Sequence, residues 1–168
     1  MSYQDHFRLT DDLITHLDTV LVGLSDPFLE SRYTGFLAVS SVTVLELSMK
    51  TIFVDFSERK HKVLGNFCAS TFERTNGRIS TSEISGNYVP KFGAKYQTRF
   101  KKALAKLEKN SLHTRSISIL ASYANLLTWR HGFAHEGVLP AHASYGEVKR
   151  AYQCGKEIMD CLYSCMKR

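Results

Sequence analysis

The stretch FLESRYTGFLAVSSVTVLELSMKTIFVDF, Phe28 to Phe56, decides how the chain is read. Its centre, Ser40 to Val44, is the β-branched run SSVTV, which by itself favours a strand. That run lies inside a far longer helical pattern. Val39, Val42, Met49 and Phe53 return near one face, and the segment well exceeds the roughly 3–10 residues of an ordinary strand. It is apolar on its other sides too, as expected of a helix at the centre of a bundle. Ser25, Asp26 and Pro27 just before it supply a cap residue and a proline suited to the first helical turn.

The neighbours on both sides are helical as well. Leu9, Leu13, Leu17, Val20, Leu21 and Leu24 form an amphipathic stripe. Val63, Leu64, Phe67, Thr71 and Phe72 mark a shorter helix. Thr75 to Pro90, TNGRISTSEISGNYVP, is rich in turn formers and predicts a surface loop. Phe92, Tyr96, Phe100, Ala103 and Leu107 make the next stripe, and Ile117, Leu120, Tyr123, Ala124 and Leu127 another. A loop follows from His135 to Ala143. Ser144 to Glu147, SYGE, is a capping-box pattern. It opens a last helix with Val148, Ala151, Tyr152, Ile158, Met159, Leu162 and Met166 inward. There is no internal repeat. The expected fold is all-α: one helical bundle of about five or six helices over residues 1–168, with a loop-rich insertion at about 75–90.

A chain of 168 residues, 43% hydrophobic and 23% charged, suits one globular domain with a real core. No run approaches 18 uninterrupted apolar residues, and the N-terminus MSYQDHFRLTDD is polar. The expectation is a cytoplasmic protein without a membrane span. Cys68, Cys154, Cys161 and Cys165 include no tight CxxC pair, so they read as small buried apolar residues rather than zinc ligands.

Charge is unevenly placed. The chain has 22 Lys and Arg, 16 Asp and Glu, and a net charge of +6. Lys91 to Lys109 alone holds seven basic residues and one acid, leaving 15 of each sign elsewhere. Lys91, Lys95, Arg99, Lys101, Lys102 and Lys106 therefore form a candidate surface for a polyanion such as RNA; a solvated helix face is the plain alternative.

The polar crowd WRHGFAHEG, Trp129 to Gly137, closes the apolar run before it. Arg130 lies three residues after Leu127 and seven after Tyr123, hence on the inward face. Glu46 falls on an inward face of the central segment in the same way. Each is costly to bury unless paired, so the two are expected to meet; a purely structural ion pair would satisfy the same pattern. His135 follows Arg130 by five residues, which on an unbroken helix separates their side chains by about 140°. They converge if the helix ends or bends near Gly132, or if a second copy of the chain completes the site. His131 and His135, at i and i+4, share a face. No third ligand stands at a compelling spacing, and neither a metal nor a cofactor is expected.

Arg130-His131-Gly132-Phe133-Ala134-His135 resembles the R-x4-6-H motif of HEPN domains, the higher eukaryote and prokaryote nucleotide-binding superfamily. His131 meets the family's preference for Asn, Asp or His after the arginine. The layout is similar to the bacterial RiboL-PSP-type HEPN proteins. The resemblance implies a metal-independent endoribonuclease, active as a homodimer with two motifs facing one cleft. Arg130 and His135 would be the matching residues, with His131 beside them. It also implies a toxin or anti-phage effector, restrained by a separate antitoxin or regulatory protein. A non-catalytic module that binds a protein, nucleotide or RNA is the alternative. The chemistry suits the residues: histidine exchanges protons near neutral pH, and arginine stays charged and binds phosphate in bidentate fashion. Glu46 would position Arg130 or a histidine.

Overall fold

The computed structural model describes residues 2–73, 75 and 77–167. Its α-helices are α1 (Phe7–Val20), α2 (Pro27–Glu58), α3 (Lys62–Phe72), the single turn α4 (Thr81–Glu83), α5 (Ala94–Arg115), α6 (Ile119–Glu136) and α7 (Tyr145–Met166). There is no strand among the described residues. The SSVTV run is helical, in the middle of α2.

Local chemistry sets the helix ends. The Asp26 carboxylate caps α2, accepting from the Phe28 and Leu29 N–H groups, with Pro27 in the first turn. Ser118 caps α6 through the Ala121 N–H, and Ser144 with Glu147 forms the expected capping box on α7. α6 ends where Gly137 turns left-handed, at φ 69°.

α2 is the central element and packs against α1, α3, α6 and α7. By length and composition it could cross a membrane, but more than half of its most apolar stretch is buried inside the protein. Leu37, Ala38, Val42, Leu45, Met49 and Phe53 are covered by the surrounding helices. Every residue expected inward on the last helix is buried. α7 approaches α2 and α6 closely at Gly155, where a Cβ would stand 2.5 Å from Leu45 Cδ1.

Three expectations change. In α1 the buried face is Phe7, Thr10, Ile14 and Leu17, whereas Leu9 is exposed. Thr10 is tolerated inside because its hydroxyl bonds the Ser40 hydroxyl at 2.8 Å. In α3 the buried residues are Gly65, Cys68 and Phe72. The Glu58 side chain fills the place a Cβ on Gly65 would take. Val63, Leu64 and Phe67 consequently face outward.

The predicted loop at 75–90 is mostly folded. After Ser80 the chain makes α4, a π-helical turn at Ile84–Tyr88 and a 3-10 turn at Val89–Phe92. Ile79, Ile84, Tyr88 and Val89 are buried (Asn76 lies outside the described residues). The anchor is aromatic. Phe53 of α2 is stacked by Phe72 at 4.9 Å and by Phe92 at 5.1 Å, with Tyr88 edge-on. Such contacts contribute about 0.5–1.5 kcal/mol each beyond burial, enough to order a segment of turn-forming residues.

Candidate active site at the end of α6

α6 delivers the motif. Its buried residues Ile119, Tyr123, Leu126 and Trp129 face the core, and Arg130 follows Leu126 by one turn. Arg130 is half-buried, and its Nε is fully shielded without a hydrogen-bond partner. The inward placement read from helical phase is what the fold contains.

Gly77 meets this guanidinium from the side. A Cβ there would lie 3.2 Å from Arg130 Nη1 and 3.3 Å from Nη2, and the residue has φ +78°. The left-handed backbone favours glycine, and a Cβ there would press the guanidinium aside by a few tenths of an ångström. The turn is held from several directions. The Gly77 N–H donates to Glu46 Oε2 at 2.5 Å. The Tyr123 hydroxyl donates to the Ile79 carbonyl at 2.7 Å, and the Tyr88 hydroxyl to that of Arg78 at 2.8 Å. Burial, with the Glu46 charge as a smaller cause, pushes the Tyr123 phenol well above its ordinary value, so it remains a neutral donor.

Glu46 does not form the expected ion pair with Arg130. Its Oε1 takes the Lys50 ammonium at 2.7 Å, one turn along α2, and its Oε2 takes the Gly77 N–H. The i,i+4 partner is already at hand on the same helix, so the carboxylate is satisfied without Arg130. Glu46 reaches the motif indirectly, through the Gly77 turn. Among the described residues no carboxylate lies within ion-pair distance of Arg130. The result is a fixed cation, stripped of water on one side and not neutralised by a neighbour. Such a guanidinium is chemically able to take an anion.

Gly132 does not break the helix. α6 runs on through His135, and Gly137 ends it. The departing chain folds back past Gly132, where a Cβ would meet the Val138 carbonyl at 3.4 Å, an ordinary contact distance. Arg130 and His135 therefore sit on different sides of one continuous helix. His131 and His135 are both exposed, and their ring centroids are 4.5 Å apart.

The last turns of α6 are locked onto α2. The Phe133 ring occupies the space that a Cβ on Gly35 would need. Arg32 donates from Nη1 to the Gly137 carbonyl at 2.6 Å, with its guanidinium 4.7 Å from the Phe28 ring centre. Gly35, Arg32, Lys50 and Gly77 escaped the reading of the sequence. Of these only Lys50 carried a local signal, its i+4 spacing from Glu46.

The basic segment lies on the 3-10 turn before α5 and on α5 itself. Lys95, Arg99, Lys102 and Lys106 recur on one face at helical spacing, and Lys101 points elsewhere. Arg99 is drawn inward, donating to the Cys165 carbonyl at 3.1 Å. Lys91, Lys95, Lys101, Lys102 and Lys106 are exposed.

An all-α bundle that presents Arg-x4-His at the end of a helix packed on α2 and α7 has the make-up of a HEPN-type domain. The family model RiboL-PSP-HEPN matches residues 4–168, and the chain belongs to that family. Comparisons with curated proteins and with solved structures gave no match.

Proposed function

We propose that this HEPN protein is a metal-independent endoribonuclease whose site is completed by a second copy of the chain. The observation that carries the reading is Arg130: a half-buried guanidinium with a shielded, unpartnered Nε, followed one and five residues later on the same helix by two exposed histidines. In the proposed reaction a ribose 2′-OH attacks the adjacent phosphorus. The P–O5′ bond breaks, leaving a 2′,3′-cyclic phosphate and a 5′-hydroxyl. His135 takes the 2′-OH proton or supplies one to the departing 5′ oxygen. Arg130 binds the phosphate oxygens as negative charge builds in the transition state. His131 orients the pair or contacts phosphate, and Glu46 acts by holding the Gly77 turn against Arg130.

Helix geometry supports the dimer. An unbroken α6 keeps Arg130 and His135 about 140° apart, so the arginine of one copy and the histidine of another are the natural partners. Phe28, Leu29, Tyr33 and Phe36 are exposed on the part of α2 that carries the motif's end, and Val138 is exposed just beyond α6. An apolar surface of this kind is suited to burial in an interface. Lys91, Lys95, Lys101, Lys102 and Lys106 would follow an RNA backbone with salt-dependent, sequence-tolerant affinity. Family membership makes a toxin or anti-phage role in the cytoplasm the natural setting.

The test is incubation of the purified protein with RNA in excess EDTA, beside Arg130→Ala and His135→Ala. Cleavage that survives EDTA and is lost in both variants supports the reading. Cleavage that both variants retain at the wild-type rate overturns it.

A further inference from the structure

α3 has two apolar sides, and the chain covers one. Gly65, Cys68 and Phe72 face α2, whereas Phe67 is 69% exposed, Val63 67% and Leu64 41%. These outward residues flank a groove between α3, the end of α2 and the 3-10 turn at Val89–Phe92, with a volume of about 350 Å³. Its apolar lining includes Phe56, Leu64, Phe67 and Phe92, and its floor rests on the Phe53 stack. None of the lining residues is acidic, and Lys60 and Lys91 are the charged ones. Lys60 lies 5.5 Å from the Phe56 ring centre, and Lys91 lies 5.9 Å from that of Tyr88.

We propose that this groove is the docking surface for an acidic amphipathic helical segment of a separate protein, one that regulates the HEPN site. Apolar side chains of the segment at i, i+3/i+4 and i+7 would fill the groove, and its flanking carboxylates would meet Lys60 and Lys91. A second copy of this chain fits less well: across a two-fold axis the interface is self-complementary, and the basic rim would face itself. RNA fits less well too, because Phe67 is the one aromatic ring strongly exposed at the groove among the described residues, and Leu64 beside it offers no stacking plane.

The regulatory part rests on the function proposed above, and the path is short. α3 ends at Phe72, whose carbonyl accepts from both the N–H and the hydroxyl of Thr75. Gly77, against Arg130, is two residues further on. A segment seated on α3 therefore bears on the helix from which the chain leaves for the Gly77 turn.

The test uses the full-length Arg130→Ala protein, so that binding is read without cleavage. The probe is a fluorescein-labelled synthetic helical peptide with Leu and Phe at i, i+3, i+4 and i+7 and Glu elsewhere, compared with a scrambled peptide of the same composition. Saturable binding that Phe67→Glu weakens by about tenfold or more, and that Lys60→Glu and Lys91→Glu also weaken, supports the proposal. Equal binding of the scrambled peptide overturns it. So does loss of single-stranded RNA binding in Phe67→Glu with peptide binding intact, or a change of oligomeric state in Phe67→Glu. Phe67 is on the surface, so circular dichroism of the variant is expected to match wild type. In the catalytically intact protein, Phe67→Glu should leave basal RNA cleavage unchanged, and saturating peptide should change it at least about twofold. Where the EDTA assay shows cleavage, an unchanged rate with peptide bound removes the regulatory part.

Discussion

Gly77 and Arg130 are in contact across the candidate site, although 53 positions apart in sequence: a Cβ on the glycine would stand 3.2 Å from the arginine's Nη1. The arginine comes from α6, and the glycine from a turn held by Glu46, Tyr123 and Tyr88. Gly77→Ala should act twice. The left-handed conformation costs an alanine roughly 1 kcal/mol, and the added methyl displaces the guanidinium. We expect a small fall in melting temperature and a loss of RNA cleavage of about tenfold or more. Wild-type cleavage in a folded Gly77→Ala protein would remove the turn from the site.

Tyr123→Phe isolates the support of that turn. The substitution keeps the ring and deletes the hydroxyl that the buried Ile79 carbonyl uses. An unsatisfied buried acceptor costs about 1–3 kcal/mol. Urea unfolding should show a loss in that range, with hydrogen exchange rising at residues 77–80 ahead of the core of α2. Uniform exchange across the chain would mean that the turn is not separately held.

Gly35 presents competing effects whose sizes can be compared. Alanine is favoured over glycine inside a helix by about 1 kcal/mol, but its methyl would fall within the Phe133 ring. Overpacking costs about 1–3 kcal/mol, so Gly35→Ala should be net destabilising or close to neutral in chemical denaturation. Gly35→Ala with Phe133→Ala should be more stable than the sum of the single effects. Simple additivity would show that the two residues do not compete for space.

The two-copy site makes a strong prediction. Arg130→Ala and His135→Ala are each expected to be inactive as homodimers. If arginine and histidine act across the interface, a mixed dimer retains one intact pair. Subunit exchange between the two variants should therefore restore about a quarter of wild-type cleavage at equal mixing. If both residues act within one chain, the mixture stays silent.

Asp18 gives a pH dependence with a definite sign. Hydrogen bonds from Lys149 and, less strongly, from the Tyr145 hydroxyl hold its carboxyl below the ordinary aspartate value. The stabilisation is therefore present above an unfolded value of about 3.9 and is lost as pH falls through the lower folded value. Melting curves of wild type and Asp18→Asn should differ at pH 6 and converge at acidic pH. A constant difference between the two across that range would rule out the linkage.

The sequence by itself determined what depends on near neighbours. Helical spacing placed the bundle's helices and overrode SSVTV, Ser144 and Glu147 announced the start of α7, and the step from Tyr123 to Arg130 put the arginine inward. Each of these follows from 3.6 residues per turn or from a cap within four residues. The i+4 spacing also held the true partner of Glu46, Lys50, although the cost of burial pointed to Arg130. Tertiary structure decided the rest. α3 carries apolar residues on two sides, and only contact with α2 chose Gly65, Cys68 and Phe72. The turn formers after Thr75 describe a loop, yet Phe53, far back in the chain, stacks Phe72 and Phe92 and folds the segment between them. Gly77 came to Arg130 by the same long-range packing. Burial is a property of the neighbours a surface finds, and those neighbours are distant in sequence.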